Sequence, residues 1–233
     1  MKIKGYIFDL DDTLYCEHDY VRSGFQAVAR HITNCFTHVS YDEIYGAILH
    51  EWQMNGRGHI FNNISIKFDI DMDIKELVSI YRSHKPVLEL YNDANRLLER
   101  LEQGAWKTGL ITDGAREVQW QKIKALGLER RLDCIIVSDD LGQDCWKPSK
   151  VPYQKVTEYL QLPYEECVYI GDNPHKDFCT ARRLGMHTIR VIRQVGDHMQ
   201  TVLTEEFEAE RTVYSLDELV KELDGNVHMF NAE

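Results

Sequence analysis

Phe8-Asp9-Leu10-Asp11-Asp12-Thr13-Leu14 sets three carboxylates directly behind an apolar run, residues 3–8. The run is typical of a buried strand, so the carboxylates lie where a strand gives way to a loop. Like charges this close repel each other, and a divalent cation, a shared proton or a nearby lysine would relieve the repulsion. Because side chains alternate along an extended chain, we expect Asp9 and Asp11 to face one side and Asp12 the other. Two carboxylates can then face one ligand, and a divalent metal is the ligand that this pattern favours.

A helical segment separates this first strand from the next one. Residues 15–85 show helical periodicity and little strand signal. Two apolar stripes recur there at helical spacing, the first made of Val21, Phe25, Val28, Ala29 and Ile32 and the second of Ile44, Ala47, Ile48 and Trp52. We therefore predict a small α-helical domain over residues 15–85.

From Pro86 onward, strands and helices alternate. The predicted strands cover residues 107–111, 134–137, 167–170 and 188–192, and the predicted helices cover residues 88–101, 117–126, 151–160 and 176–184. Strand runs such as Ile135-Ile136-Val137 lack polar alternation, which is typical of a parallel sheet covered on both faces. We predict an α/β fold in which residues 1–14 and 86–233 form a doubly wound parallel sheet, with the helical domain inserted after the first strand.

Polar clusters follow the strands of this predicted sheet. Asp9 and Asp11 end the first strand, Thr112-Asp113-Gly114 ends the second, Lys147-Pro148 lies in the loop after the third, and residues 171–177 end the fourth. Each cluster is weak evidence by itself, because Thr-Asp-Gly, Lys-Pro and Gly-Asp are common in turns. In sheets of this kind, however, ligands bind at the carboxyl ends of the strands. The order and placement of the clusters therefore predict one site at that edge.

Taken in order, these clusters resemble the four motifs of the haloacid dehalogenase superfamily. The first motif is similar to Asp9-Leu10-Asp11-Asp12-Thr13, the second to Thr112, the third to Lys147 and the fourth to Asp172 with Asp177. The resemblance covers nearly the whole chain and includes a helical cap inserted after the first motif. It implies a Rossmann-like core and a phosphatase-type, Mg²⁺-dependent hydrolase that acts on a small-molecule phosphate ester.

The resemblance also implies a role for each matching residue. Asp9 would attack phosphorus and form an aspartyl-phosphate, whereas Asp11 would serve as general acid and then as general base. The residues that would bind the phosphoryl group are Thr112, Asp113, Gly114 and Lys147. Many relatives carry asparagine directly after the threonine, so the carboxylate of Asp113 is a departure from the usual pattern.

A metal site is implied as well. Mg²⁺ prefers octahedral oxygen coordination, and the resemblance suggests Asp9, the backbone carbonyl of Asp11 and Asp172 as its protein ligands. Asp177 would support these ligands without binding the metal itself. Because Asp177 also lies where a helix is predicted to begin, a helix cap is the alternative interpretation of this residue.

Other functions use the same fold. Asp11 argues against a haloacid dehalogenase, since halide leaves without protonation and such enzymes resemble this chain without the second aspartate. The cap lysines Lys67 and Lys75 lie away from residues 15–20, where a phosphonatase would place a lysine that forms a Schiff base. A phosphomutase shares the core machinery and stays open. A binding protein without activity is disfavoured, because no motif residue is missing.

The composition limits the partners. The chain has 233 residues and a formal net charge of −11, which disfavours nucleic acid and anionic membrane surfaces as partners. No apolar stretch reaches the roughly 20 residues of a membrane span, and no secretory signal pattern is visible, so we expect a cytoplasmic protein. The oligomeric state stays open, because the sequence shows no heptad seam.

The substrate is less well defined than the reaction. The helical insert is compatible with a sugar phosphate or a nucleoside monophosphate, and Tyr15, Tyr20 and Phe61 would favour a nucleobase. The glycine-rich turn Asn55-Gly56-Arg57-Gly58-His59 is either a surface turn or a loop that reads the substrate.

Overall fold

The structure, a computed structural model, describes residues 2–225 and divides into two units. One unit contains the residues up to Glu17 and those from Leu88 onward, and the other is His18–Val87. The predicted limits of the inserted domain, residues 15 and 85, lie within three residues of these boundaries. That the helical unit contributes to substrate recognition stays a prediction.

The first unit is built on one six-stranded sheet. Its strands are β1 Gly5–Phe8, β2 Lys107–Thr112, β3 Cys134–Val137, β4 Cys167–Gly171, β5 His187–Val191 and β6 Arg211–Val213. They stand in the order β3-β2-β1-β4-β5-β6, and every neighbouring pair is parallel. The chain runs outward from β1 to β3 and returns to β4 on the other side of β1. The predicted doubly wound sheet is confirmed, and its reversal point between β1 and β4 is where such sheets bind ligands.

Four helices make up most of the second unit. They are α1 Glu17–Cys35, α2 Tyr41–Asn55, α3 Ile60–Lys67 and α4 Ile74–Ser83. The first predicted apolar stripe is fully buried in the core of this unit, as are Ile44 and Ile48 of the second stripe. Ser40 and Glu43 form a capping box that starts α2. The helical unit therefore has a hydrophobic core of its own.

Five further helices flank the sheet. They are α5 Asn92–Glu102, α6 Arg116–Ala125, α7 Val151–Leu160, α8 Phe178–Leu184 and α9 Asp217–Gly225. Side chains from strands and helices share one core, which includes Ile7, Ile111, Tyr153, Val156, Tyr169 and Phe178. None of the helices within residues 2–225 has the length and apolarity that crossing a membrane requires.

The observed elements differ from the predicted ones mainly at their ends. α5 begins four residues later than predicted, because the backbone N–H of Tyr91 donates to the carbonyl of Leu14 at 2.9 Å and ties this segment to the loop after β1. α8 begins two residues late, since the N–H groups of Lys176 and Asp177 bond back to the carbonyl of Asn173 in a separate turn. β6 and α9 were not predicted.

Candidate active site

Asp9 lies directly after β1, and only 3% of the residue is exposed. Its Oδ1 accepts a hydrogen bond from Lys147 Nζ at 2.5 Å. The same ammonium donates to Asp177 Oδ1 at 2.8 Å and to the Tyr169 hydroxyl at 2.9 Å. Burial works to lower the pKa of Lys147, but the charges of Asp177 and Asp9 outweigh it and raise that pKa well above its usual value. Lys147 therefore stays charged and links the two carboxylates.

Asp9, Asp172 and Asp177 form a compact acidic group. One carboxylate oxygen from each lies within 4.8 Å of the other two, and all three residues are buried. Gly171 permits this approach, because a Cβ there would lie 2.5 Å from Asp177 Oδ2. Burial raises the pKa of Asp9 to about 7, and burial together with the Asp9 charge raises the pKa of Asp172 well above its usual value. Ionisation of all three carboxylates at neutral pH therefore needs more positive charge than Lys147 supplies.

The acidic group suits a hard divalent cation. Within residues 2–225, the Asp172 carboxylate has no hydrogen-bond or ion-pair partner, although only 4% of the residue is exposed. A buried carboxylate without a partner is costly, and oxygen ligands are those that Mg²⁺ prefers. Asp177 is already held by Lys147 and by the backbone N–H of Asn173 at 2.9 Å. Asp9 and Asp172 are thus the carboxylates best placed to bind a cation directly.

Asp11 has entirely different partners from Asp9. Its Oδ1 accepts hydrogen bonds from the Tyr15 hydroxyl at 2.5 Å and from Lys122 Nζ at 2.8 Å. Its Oδ2 accepts one from Gln119 Nε2 at 2.9 Å. Burial alone would raise the pKa of Asp11, but the charge and hydrogen bond of Lys122, together with the other two bonds, lower it below the usual value. The loop after β1 thus carries two carboxylates of opposite electrostatic character.

The alternation that we used to orient Asp9 and Asp11 ends at Phe8. The residues that follow are irregular, and Asp12 has a φ of 54°. Asp11 contributes no side-chain oxygen to the acidic group, so the metal ligand that the resemblance implies is its backbone carbonyl, which stays a prediction. The Asp12 carboxylate accepts the N–H of Glu17 at 2.9 Å and so holds the loop at the start of α1.

Thr112 and Gly114 lie at the same edge of the sheet. Thr112 ends β2, and its Oγ1 accepts a hydrogen bond from Gln119 Nε2 at 2.5 Å. A hydroxyl that accepts one hydrogen bond keeps its own proton free to donate, as binding a phosphoryl oxygen requires. Gly114 has a φ of 136°, and a Cβ there would lie 3.1 Å from the Gln119 side chain. Glycine at this position therefore makes room for Gln119.

Asp113 supports the loop that carries Lys147. Its Oδ1 accepts hydrogen bonds from the Ser138 hydroxyl at 2.6 Å and from the backbone N–H of Lys147 at 3.1 Å. Its Oδ2 lies 3.5 Å from Lys176 Nζ, and its side chain is 5% exposed. A carboxylate repels phosphate, so the predicted phosphoryl contact of Asp113 cannot come from its side chain.

The helix-cap interpretation of Asp177 is wrong. Asp177 stands at the N-cap position of α8, but its side chain makes no capping hydrogen bond. It binds Lys147 and the N–H of Asn173 instead, as a residue that supports the acidic group would. Tyr15 is also placed differently from a base-stacking residue, because it is fully buried and donates to Asp11.

The glycine-rich turn of the helical unit connects α2 to α3. Gly56 and His59 adopt positive φ values of 72° and 57° there. Arg57 and His59 line a cavity of about 310 Å³ within this unit, with Phe61 among its walls. That the turn reads a substrate stays a prediction.

The sequence reasoning missed the contribution of α6. Gln119 and Lys122 lie three positions apart on that helix, so both fall on one face, and both are buried. Polar residues at this spacing are a signal, but a solvent-exposed helix face gives the same pattern. Lys176 was also missed, although it lies directly before Asp177.

The strand order, the buried acidic group and Lys147 form a candidate active site at the reversal point of a Rossmann-like sheet. Residues 6–191 match the family model described as haloacid dehalogenase-like hydrolase. Because that match covers most of the chain, the protein belongs to this family of hydrolases, and the resemblance read from the motifs is confirmed.

Individual relatives are moderately similar. The chain is 28% identical to a glyceraldehyde 3-phosphate phosphatase of Methanocaldococcus jannaschii, over 94% of this chain and 96% of that protein. It is 26% identical to the pyrophosphatase PpaX of Bacillus mycoides, over 82% of this chain and 84% of that protein. The crystal structure of a HAD phosphatase from Thermococcus onnurineus matches with a TM-score of 0.61 and 26% identity, over 97% of this chain and 99% of that one.

Proposed function

We propose that this protein is an Mg²⁺-dependent phosphatase that hydrolyses a small organic phosphate monoester through an aspartyl-phosphate on Asp9. The observation that carries the proposal is the separation of two neighbouring carboxylates. Asp9 lies beside Lys147 and Asp172, whereas Asp11 is held by Lys122 and its neighbours. A nucleophile needs positive charge beside the phosphoryl group, and an acid–base group needs its own position near the leaving oxygen. The loop after β1 supplies one carboxylate for each role, and Lys147 supplies the positive charge beside Asp9.

In the first half-reaction, an Asp9 oxygen bonds to phosphorus while the bond from phosphorus to the ester oxygen breaks. The electron pair of that bond goes to the ester oxygen, which takes a proton from the Asp11 carboxyl group and leaves as an alcohol. The approaching phosphate carries negative charge, which favours the protonated form of Asp11 at this stage. Thr112 donates a hydrogen bond to a non-bridging oxygen, and Lys147 offsets the phosphoryl charge.

In the second half-reaction, water bonds to phosphorus while the Asp11 carboxylate accepts its proton. The bond between phosphorus and Asp9 breaks, and its electron pair returns to the Asp9 carboxylate. Inorganic phosphate leaves, so Asp9 is again ionised and Asp11 is again protonated. The same carboxylate thus acts as acid and then as base without external reagents other than water.

The metal would be held by Asp9, Asp172 and the backbone carbonyl of Asp11. The partnerless, buried carboxylate of Asp172 supports this assignment, as do the raised pKa values of Asp9 and Asp172. When bound, Mg²⁺ supplies charge that offsets the phosphoryl oxygens and helps to orient them. Asp177 keeps Lys147 and the N–H of Asn173 in place beside these ligands.

The relatives support small, diffusible substrates. One is named for glyceraldehyde 3-phosphate and another for pyrophosphate, so we place a short sugar phosphate first. Nucleoside monophosphates are the second class of monoester that the helical insert admits. Pyrophosphate, an anhydride rather than an ester, is tested beside them because of the Bacillus relative.

Phosphate release from a panel of these compounds, with and without Mg²⁺, tests the proposal. We expect Mg²⁺-dependent release from one subset and none from the Asp9→Asn variant. If a sugar phosphate released no phosphate but was converted into an isomer, the protein would be a phosphomutase and not a phosphatase. A folded wild-type protein that neither releases phosphate nor isomerises any panel member would refute the proposal.

A further inference from the structure

Two polar residues of α6 are buried against the predicted acid–base group. Lys122 is 3% exposed and Gln119 is 1% exposed. Lys122 Nζ lies 2.8 Å from Asp11 Oδ1 and 3.8 Å from Glu17 Oε1. Burying a lysine and an amide is unfavourable unless each finds a partner, so their presence on this helix face calls for an explanation.

Gln119 connects two residues of the proposed mechanism. Its Nε2 donates to Asp11 Oδ2 at 2.9 Å and to Thr112 Oγ1 at 2.5 Å. An amide nitrogen carries two protons, so both bonds can form at once. The carboxylate accepts only, which fixes the amide with its nitrogen toward Asp11. Gln119 therefore sets the distance between the acid–base group and the phosphoryl-binding hydroxyl.

The contacts also distinguish the two oxygens of Asp11. An ionised carboxylate offers about four lone-pair positions, two on each oxygen. Tyr15 and Lys122 occupy both positions on Oδ1, whereas Gln119 occupies one on Oδ2. Among the described residues, the remaining position on Oδ2 is the one left for a substrate proton. This oxygen is also the one that Gln119 ties to Thr112.

We propose that Gln119 and Lys122 are positioning residues, which hold the Asp11 carboxylate so that Oδ2 transfers the proton to and from the substrate. The inference rests on the proposed function and adds two residues to it that no motif supplies. In this role each residue acts through Asp11 and not on the substrate itself. Gly114 contributes to this arrangement, because a side chain there would crowd Gln119.

The position of Asp11 matters most when the leaving group needs a proton. Alkyl phosphates leave as strongly basic alkoxides unless they are protonated, whereas aryl phosphates with acidic phenols leave readily without help. A misplaced Asp11 therefore slows phosphoryl transfer from alkyl esters more than from aryl esters. A purely structural role of Gln119 or Lys122 would slow both classes equally.

The test compares Gln119→Met and Lys122→Met, which keep side-chain length, with Lys124→Met on the same helix. Lys124 is exposed, so its variant controls for the loss of one lysine from α6. We expect kcat/KM, which reports phosphoryl transfer to Asp9, to fall about tenfold or more for alkyl phosphates in the first two variants, with a clearly smaller loss for aryl phosphates. Lys124→Met is expected to match the wild type.

The variants also separate this inference from the proposed function. If Lys122→Met fails to fold, Gln119→Met still tests the inference, because that substitution removes no charge. Lys122→Arg keeps the positive charge and should retain most of the wild-type activity. Equal losses for alkyl and aryl substrates, or a drop in melting temperature without a change in this ratio, would overturn the positioning role alone. A folded wild-type protein without phosphatase activity would overturn both the proposed function and this inference.

Discussion

Asp9 and Asp11 lie two residues apart on one loop, yet their surroundings act on them in opposite directions. Burial raises the pKa of Asp9 to about 7, even though Lys147 lies beside it. Asp11 is only partly buried, Lys122, Tyr15 and Gln119 all donate to it, and its pKa is lowered. The difference comes from the neighbours: Asp9 shares its lysine with Asp177, whereas Asp11 receives three hydrogen bonds.

This contrast separates two roles that the same residue type can fill. A carboxylate in an acidic group with too little positive charge attracts a cation and, with it, an anionic phosphoryl group. A carboxylate whose oxygens are held by donors keeps a defined orientation, which proton transfer requires. The account therefore predicts that changes around the two aspartates differ in size and in the step that they affect.

Replacement of Asp9 should have the largest effect. Asp9→Asn removes the proposed nucleophile, so we expect turnover to be abolished for every substrate, with the fold retained. Steady-state phosphate release measures the loss, and circular dichroism with thermal unfolding checks the fold. If the variant retained turnover, Asp9 would not be the nucleophile, and the proposed difference in role between Asp9 and Asp11 would be wrong.

The next largest effect should come from the lysine beside Asp9. Lys147→Met leaves the charges of Asp9 and Asp177 without their shared cation, so we expect kcat to fall about 100-fold to 1,000-fold for alkyl and aryl substrates alike. Lys150→Met, at an exposed lysine three residues on, is the matched control and should keep wild-type activity. A loss confined to alkyl substrates would assign Lys147 to the acid–base step instead.

A smaller and more selective loss is expected at Asp11. Asp11→Asn keeps the shape of the side chain but cannot accept or deliver the proton, so kcat/KM for alkyl phosphates, which reports the first half-reaction, should fall about 100-fold or more. The loss should shrink as the leaving group becomes more acidic, which a series of substituted phenyl phosphates measures. Losses of one size across that series would contradict the acid–base role.

Asp93 is a third carboxylate that can be compared with Asp9 and Asp11, because it has an arginine partner and no part in the proposed chemistry. Asp93 accepts hydrogen bonds from Arg193 at 2.6 Å, from the backbone N–H of Leu216 at 2.8 Å and from the Ser215 hydroxyl at 3.0 Å. Burial opposes ionisation, but Arg193 and these donors lower the pKa of Asp93 below its usual value. Its substitution should therefore affect stability rather than turnover.

The sign of this effect with pH follows from the lowered pKa. The ionised form of Asp93 stabilises the folded state above the unfolded pKa of about 4, and that contribution disappears as pH falls through the lower folded value. We expect Asp93→Asn to reduce the free energy of unfolding by about 2 kcal/mol at neutral pH, and by progressively less below about pH 4. Denaturant unfolding at several pH values measures it. A difference that is constant with pH would show that the charge of Asp93 is not the cause.

The sequence predicted the sheet and the edge at which its polar clusters meet, because buried parallel strands give unbroken apolar runs and their carboxyl ends must share one edge. It did not predict the network around Asp11. The backbone leaves the extended conformation after Phe8, so the alternation used for Asp9 and Asp11 no longer applies. The partners on α6 lie more than 100 residues away along the chain, and a buried Lys122 looks in the sequence like any lysine of an exposed helix face.

The most direct test of the account is to trap the phosphorylated enzyme. The Asp11→Asn variant, mixed with an aryl phosphate and Mg²⁺, should form the aspartyl-phosphate without needing an acid but hydrolyse it slowly without a base. Acid quenching, proteolysis and mass spectrometry should then find one phosphoryl group on the peptide that contains Asp9, and none in the Asp9→Asn, Asp11→Asn double variant. The central claim is that Asp9 carries the phosphoryl group while Asp11 moves the proton. A phosphoryl group on any other residue would contradict this claim. Turnover of the aryl phosphate with no trapped intermediate in either the wild type or the variant would contradict it as well.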